Sequence, residues 1–261
     1  MRDPAPVRII VPMQTNIHEI AEGIYRLSTV VPEVAPGGFA FNQYLIAGDE
    51  PLLFHTGARQ LFPLVSAAVG KVIDVDQLRW ISFGHVESDE SGAMNQWLDA
   101  APSSEVLFNG LGCMVSLNDL ADRPPVMADP DSARDIGGHA VRTIATPHVP
   151  HGWEAQVLFD ETTRTLFCGD LFTQTGESPA IVHDADLIQP ALDAEDLFGA
   201  TALTPSTART IRELADLEPR TLALMHGPAY AGDCRRALLD LADAYEARLA
   251  ASMDLAGSGA I

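Results

Sequence analysis

Apolar residues in the first third of the chain come in short runs broken by turn residues: Val7 to Val11, Ile24 to Val30, Phe41 to Ile46 and Leu52 to Phe54, with Pro36-Gly37-Gly38 and Gly48-Asp49 between them. Short apolar runs punctuated by Gly and Pro are the pattern of strands, so the opening is predicted to be β-rich. Beyond it, strand patterns alternate with helical ones: helix Leu61 to Val72, strand Arg79 to Phe83, helix Gly92 to Asp99, strand Glu105 to Phe108 and helix Cys113 to Leu120. A second block follows, with strands Ala140 to Ile144, Gln156 to Phe159 and Thr165 to Cys168, helix Ser206 to Leu217, strand Thr221 to Met225 and a long last helix. In that helix Ala237, Leu238, Leu241, Ala244, Tyr245 and Leu249 recur at helical spacing, which predicts a face packed on the core. The order predicts a layered α/β architecture, read as one domain over residues 1–261. The stretch from Thr173 to Asp196 is polar, acidic and weakly periodic, and is expected to be a long functional loop or a disordered insertion.

Charge and composition narrow the function classes. The 261 residues carry 36 acidic against 16 basic side chains, a net charge of −20, which argues against a nucleic-acid partner. No apolar run approaches the ~20 residues that cross a bilayer, and Met1-Arg2-Asp3-Pro4 lacks a basic flank followed by an apolar stretch, so an unexported, cytoplasmic protein without a membrane partner is expected. Cys113, Cys168 and Cys234 are odd in number and form no C-x-x-C pair, which fits reduced thiols. Cys168 reads as a small buried packing residue.

The chemistry gathers at predicted strand ends. After Trp80-Ile81-Ser82-Phe83 comes Gly84-His85-Val86-Glu87-Ser88-Asp89-Glu90-Ser91-Gly92, with one imidazole and three carboxylates in six positions. Such a run is either a solvated acidic turn or, if buried, a site whose carboxylates repel until a cation compensates them. Further ligand types follow in Thr146-Pro147-His148-Val149-Pro150-His151-Gly152, Phe167-Cys168-Gly169-Asp170 and Leu224-Met225-His226-Gly227. Strand ends of a layered sheet open onto one crevice, so these distant segments can converge. Glu87, Asp89, Glu90 and Asp170 together offer four negative charges, which two divalent ions would neutralise.

These residues resemble the metallo-β-lactamase fold superfamily, nearest to its oxygen-binding di-iron and flavodiiron group. That group carries H-x-E-x-D-H where most zinc hydrolases carry H-x-H-x-D-H, and His85-Val86-Glu87-Ser88-Asp89-Glu90 follows the first form up to its last position. The family's next His precedes its bridging Asp by 19 residues; 170 − 151 = 19 selects His151 and leaves His148 as an extra. His226-Gly227 matches the last motif, and Gly38-Phe39-Ala40-Phe41-Asn42-Gln43-Tyr44-Leu45 and Asp170-Leu171-Phe172-Thr173-Gln174 are also family-like, so the likeness covers about residues 20 to 230. The resemblance implies a four-layered αββα sandwich. It also implies one metal on His85, Glu87, His151 and Asp170, and a second on Asp89, His226 and the shared Asp170, with Glu90 as a further candidate ligand. Two positions depart from the pattern. Glu90 stands where the family has a His ligand, and His55 stands where an Asp usually follows the early strand. His55 and His148 are candidates to support the ligands, His148 also as a proton donor or substitute ligand.

Hard carboxylate donors move the preference from zinc toward iron, with manganese or zinc as alternatives. The leading expectation is therefore a metalloprotein with a carboxylate-rich dinuclear site, iron favoured, that binds or reduces dioxygen or a related small oxidant, with Asp170 bridging. No flavodoxin-like domain follows within the 261 residues, so no internal FMN is expected and electrons would come from an external donor. The rival is a hydrolase of an ester, thioester or lactone, in which Asp89 would orient a metal-bound hydroxide. A third reading is a non-catalytic oxygen sensor or scaffold. Homo-oligomerisation is left open. His18, His139 and His183 are assigned no function, and Trp153 and Phe172 flank the ligand candidates either as pocket walls or as core. Gly110-Leu111-Gly112 lacks the context of a dinucleotide fingerprint, and the absence of G-x-S-x-G disfavours a serine hydrolase.

Overall fold

Alternation along the strands sorts side chains into layers. In the computed structural model, which describes residues 13–258, β3 (Phe39–Ile46) sends Tyr44 and Ile46 to one face and Leu45 to the other. β4 (Leu52–Phe54) does the same with Leu52 and Phe54 against Leu53. Because successive side chains of a strand point to opposite faces, each buried strand supplies two interfaces. These strands belong to a seven-stranded sheet that also contains β1 (Thr15–Ala21), β2 (Ile24–Val31), β5 (Trp80–Ser82), β6 (Glu105–Phe108) and β7 (Val126–Met127), in the order β1-β2-β3-β4-β5-β6-β7. The second sheet runs β12-β14-β13-β11-β10-β9-β8 and uses β8 (Arg134–Asp135), β9 (Ala140–Ala145), β10 (Gln156–Asp160), β11 (Thr165–Phe167), β12 (Ile181–Val182), β13 (Thr221–Ala223) and β14 (Ala229–Tyr230).

Three apolar clusters fill the spaces between four layers. Ile24, Tyr44, Phe54 and Leu107 of the first sheet meet Val141, Leu158, Phe167 and Ala223 of the second, forming the inner core. The Phe167 ring lies 5.4 Å from both the Tyr44 and the Phe54 ring. Truncating a fully buried phenyl of this kind to alanine costs about 3–5 kcal/mol. On the outer face of the first sheet, Leu45, Leu53, Ile81 and Phe108 pack with α1 (Phe62–Val69), α2 (Met94–Ala100) and the helical segment built from α3 (Gly110–Gly112), a π-helical turn over Cys113–Leu117 and α4 (Asn118–Leu120). On the outer face of the second, Val157, Phe159, Leu166 and Leu222 pack with α5 (Ile188–Phe198), α6 (Thr207–Ala215) and α7 (Cys234–Ser258). The architecture is the αββα sandwich.

The elements differ from the sequence expectation in several places, among them the short strands β7, β8 and β14, which it did not mark. The predicted strand at Val7 to Val11 lies outside the described residues; β1, where no strand was expected, forms at Thr15–Ala21, antiparallel to β2 with an irregular register between Glu19 and Ala21. The stretch expected as a loop or disordered insertion holds β12 and most of α5. Asp186 Oδ1 accepts from the backbone of Ile188 (2.8 Å) and Gln189 (3.3 Å) to start α5, and Gly199, in the left-handed region at φ +60, ends it. Ala191 and Ala194 form its buried face. Alanines carry little hydrophobic contrast, which is why no periodicity marked the helix. Among the described residues no helix is long and apolar enough to cross a membrane.

Candidate metal centre

Parallel pairing brings the chemistry to one edge. β4 and β5 run parallel, as do β11 and β13, so the segments leaving β5, β11 and β13 emerge together, carrying His85 to Glu90, Asp170 and His226. The connection from β9 to β10 supplies His151. Two glycines make room. A Cβ at Gly84 would lie 2.9 Å from Glu90 Oε2, and Gly169 takes φ +54 to turn the chain into Asp170.

Four donor atoms converge. His85 Nε2 lies 2.7 Å from Glu87 Oε2 and 2.9 Å from His151 Nε2, and His151 Nε2 lies 3.1 Å from Glu87 Oε2. Asp170 Oδ2 stands 3.8 Å from His85 Nε2 and 3.6 Å from His151 Nε2, and all four ligand atoms fall within 4.8 Å of one another. Donors held at ~2.0–2.2 Å around one ion sit about 3–3.5 Å apart, so this spacing is that of groups able to share a cation. The residues fit a metal ion.

Beside them, His226 Nε2 lies 3.2 Å from Asp170 Oδ1 and 3.4 Å from Asp89 Oδ2. Its other ring nitrogen, Nδ1, faces the Ala40 carbonyl at 2.8 Å, and since a carbonyl only accepts, Nδ1 carries the proton and Nε2 is left for the carboxylates. Phe39, 4.3 Å from the ring, and Phe41, 5.3 Å, clamp it. The turn that bears His226 is held from below: Asn42 donates to the Leu224 and Gly227 carbonyls, each at 2.8 Å, Tyr44 to Leu224 at 2.7 Å and Arg26 to Gly227 at 2.9 Å. Asn42 and Tyr44 belong to a family-like string in the sequence, but only the contacts reveal what they do.

The carboxylates act strongly on the imidazoles. Burial opposes a charge on His85, yet Glu90, Glu87 and Asp170 outweigh it and push the ring up to about 12. Burial likewise opposes a charge on His226, but Asp170 and Asp89 push it up to about 10. Glu87 raises His151, and in return His151 and His85 hold Glu87 well below the usual carboxylate range. Protons on these rings balance the carboxylates, and a cation held at the same atoms would replace them.

The family model described as ODP family beta lactamase matches residues 39–227, which include every segment that meets at this edge. The chain belongs to that family. The rubredoxin-oxygen oxidoreductase of Megalodesulfovibrio gigas is 20% identical over 206 residues, covering 76% of this chain and 51% of that protein. Diflavin flavoprotein A 2 of Synechocystis sp. is 24% identical over 198 residues, covering 73% and 33%. The chain thus spans a third to a half of the length of these curated relatives. Among solved structures, rubredoxin oxygen:oxidoreductase from Desulfovibrio gigas superposes with a TM-score of 0.76 at 17% identity, covering 88% of this chain and 62% of that one. The flavodiiron core of Flv1 from Synechocystis sp. PCC6803 gives 0.73 at 20% identity, covering 91% and 61%. The family model places the chain in the metallo-β-lactamase fold superfamily, and these superpositions show the fold that it shares with flavodiiron proteins.

Within this member of the ODP family, several sequence expectations find a different place. Glu90, a candidate ligand of the second position, packs against His85 and His55. Its Oε2 accepts the His85 backbone N–H at 2.7 Å, and its Oε1 lies 3.3 Å from His85 Nδ1. His148 is exposed, with φ 64, its backbone bonded to Gly152, and it lies outside the four-atom cluster. His55 is fully buried against Glu90. Trp153 is 54% exposed and Phe172 belongs to the core behind the second sheet, so neither walls the site. The walls come from residues that the sequence did not mark as lining. A cavity of about 190 Å³ opens over Glu87, Asp89, Asp170 and His226, enclosed by Phe39, Pro150, Ala194, Phe198 and Tyr245.

Proposed function

We propose that the protein holds two metal ions, iron in preference, and binds or reduces dioxygen or a related small oxidant with electrons from an external donor. The observation that carries this reading is the orientation of Asp170, whose Oδ2 faces His85 and His151 while Oδ1 faces His226. One carboxylate turned to two groups of donors is the arrangement for a shared bridge. His85, Glu87 and His151 would complete one position, and Asp89 and His226 the other. Donors rich in carboxylate oxygen favour iron or manganese over zinc. When bound, such a pair supplies redox electrons and Lewis acidity at one point.

The chain's own residues prepare the rest. The Ala40 carbonyl fixes the proton on His226 Nδ1, so Nε2 is presented without rearrangement. Phe39, Phe198, Ala191 and Ala194 give the cavity an apolar lining, and Tyr245 places its hydroxyl at the wall, 3.3 Å from Thr201 Oγ1. Among the described residues that line the cavity there is no lysine or arginine, while Glu87, Asp89, Asp170 and Glu195 are acidic. Bound metal ions would offset the charge of Glu87, Asp89 and Asp170, and the apolar wall of Phe39, Pro150, Ala194 and Phe198 suits a small uncharged molecule. The relatives' names, an oxygen oxidoreductase and a flavodiiron core, support the same class.

The test is oxygen uptake by the reduced, iron-loaded protein with a chemical reductant in excess, set beside ester, thioester and lactone hydrolysis by the zinc-loaded protein. Sustained uptake without hydrolysis is the expected result. Hydrolytic turnover with zinc and no oxygen uptake would replace this reading with the hydrolase, and binding of oxygen without consumption would replace it with a sensor.

A further inference from the structure

Behind His85 lie two buried side chains that the donor set leaves unused. Glu90 and His55 are each 0% exposed, with His55 Nδ1 3.4 Å from Glu90 Oε2. Glu90 also holds the His85 backbone N–H at 2.7 Å and stands 3.3 Å from His85 Nδ1. His85 therefore has a carboxylate at its back while its Nε2 faces Glu87, His151 and Asp170. The backbone yields on both sides of this contact. His55 adopts φ 64, which is unfavourable for a residue bearing a Cβ, and Gly84 supplies the space into which a Cβ would intrude on Glu90. Neither ring nitrogen of His55 nor Glu90 Oε1 has a hydrogen-bond partner within the protein. Leaving either partner alone in this interior would be costly, so the two are best understood together. They are also the two positions at which the sequence departs from the family pattern, an imidazole standing for an acid at 55 and an acid for an imidazole at 90. The departures meet in space.

We propose that His55 and Glu90 are one reciprocally exchanged imidazole and acid pair that positions His85 from behind, and that the exchange leaves the Asp89, Asp170 and His226 position with three protein side chains and an open side toward the cavity. The second clause rests on the dinuclear reading. The first does not. As positioning residues, the pair act through His85 and touch no substrate.

A double-mutant cycle on the full chain separates the two clauses. His55→Asp sets two buried carboxylates against each other, and Glu90→His strips the acceptor from the His85 N–H and crowds imidazoles together. Each change should lower Tm by about 5 °C or more, both in protein as purified and after chelation. The double variant should regain over half of the summed loss, because contacting residues couple. Additive losses would overturn the pair. Should a single variant fail to fold, Glu90→Gln keeps an acceptor for the His85 N–H but removes the charge. It should fold and lose iron from the first position on dialysis, whereas wild-type Tm and retention would overturn the positioning role. For the second clause, the double variant should retain two irons per chain through a dialysis that strips one from wild type. Equal retention would overturn the open position. If neither protein takes up a second iron, the dinuclear reading and with it the second clause fall, while the Tm cycle still decides the pair.

Discussion

Two histidines three residues apart, His148 and His151, behave differently because the loop between β9 and β10 turns only one of them inward. Val149 is buried and His148 faces solvent, while His151 Nε2 reaches His85 and Glu87. His151→Ala should therefore lower metal retention at least about tenfold, and His148→Ala should leave it within about twofold, as read by elemental analysis after dialysis. The reverse pattern would contradict the geometry. This distinction was legible in the sequence, because the spacing of 19 residues from His151 to Asp170 separates the two. The direction of Glu90 was not legible. One turn of chain decides whether its carboxylate faces His226 or folds back on His85, and that turn depends on Gly84 and His55, far apart in sequence. Nor did the sequence reveal Phe39 and Phe41 as the clamp on His226, since apolar strand residues carry no mark of the ring they will meet.

At the scale of elements, strands were the more legible part. β2 to β6 and β9 to β11 fall where apolar runs end in turn residues, and buried strands leave that trace whatever surrounds them. α5 left none, yet it forms one wall of the cavity through Ala191, Ala194 and Phe198. Arg248 of α7 fastens it by bonding Asp196 at 2.7 Å and the Leu192 carbonyl at 3.1 Å. The exposed ion pair alone is worth at most about 1 kcal/mol, so burial of Ala191 and Ala194, with Ile188 and Leu192 packed against the same core, holds the helix in place. Small side chains there set the free volume over the site. Ala194→Leu should fill it, reducing oxygen consumption at least about fivefold while metal content stays unchanged, at a stability cost of ~1–3 kcal/mol from overpacking. Undiminished uptake with intact metal would show that the oxidant enters elsewhere.

For the molecule as a whole, stability and metal binding are tied to pH through a centre whose carboxylates favour the protonated form of His85, His151 and His226. His226, pushed up to about 10 from an ordinary 6.5, gives the metal-free protein stability that is fully present below 6.5 and lost as pH rises through about 10. Thermal melts of stripped protein should thus decline between those values, and melts of loaded protein should not. Binding of metal at neutral pH must also expel protons from His85 and His226, seen as a binding enthalpy that varies with the ionisation enthalpy of the buffer. A buffer-independent enthalpy would mean that the rings are neutral before metal arrives. The layered fold that assembles these groups was legible from the alternation of elements. That the segments could converge followed from their places at strand ends, but Asp170 as the meeting point was an expectation drawn from family likeness, because strand order and crossover partners leave no local trace.

Asp170 is the point on which the dinuclear reading turns. The most direct measurement is anaerobic titration of the stripped protein with ferrous iron, followed by elemental analysis and Mössbauer or paramagnetic resonance spectroscopy of the oxidised product. A shared carboxylate predicts a second iron per chain and magnetic coupling between the two, with Asp170→Asn weakening retention of both. A single iron per chain, or two irons without coupling, would contradict the dinuclear centre.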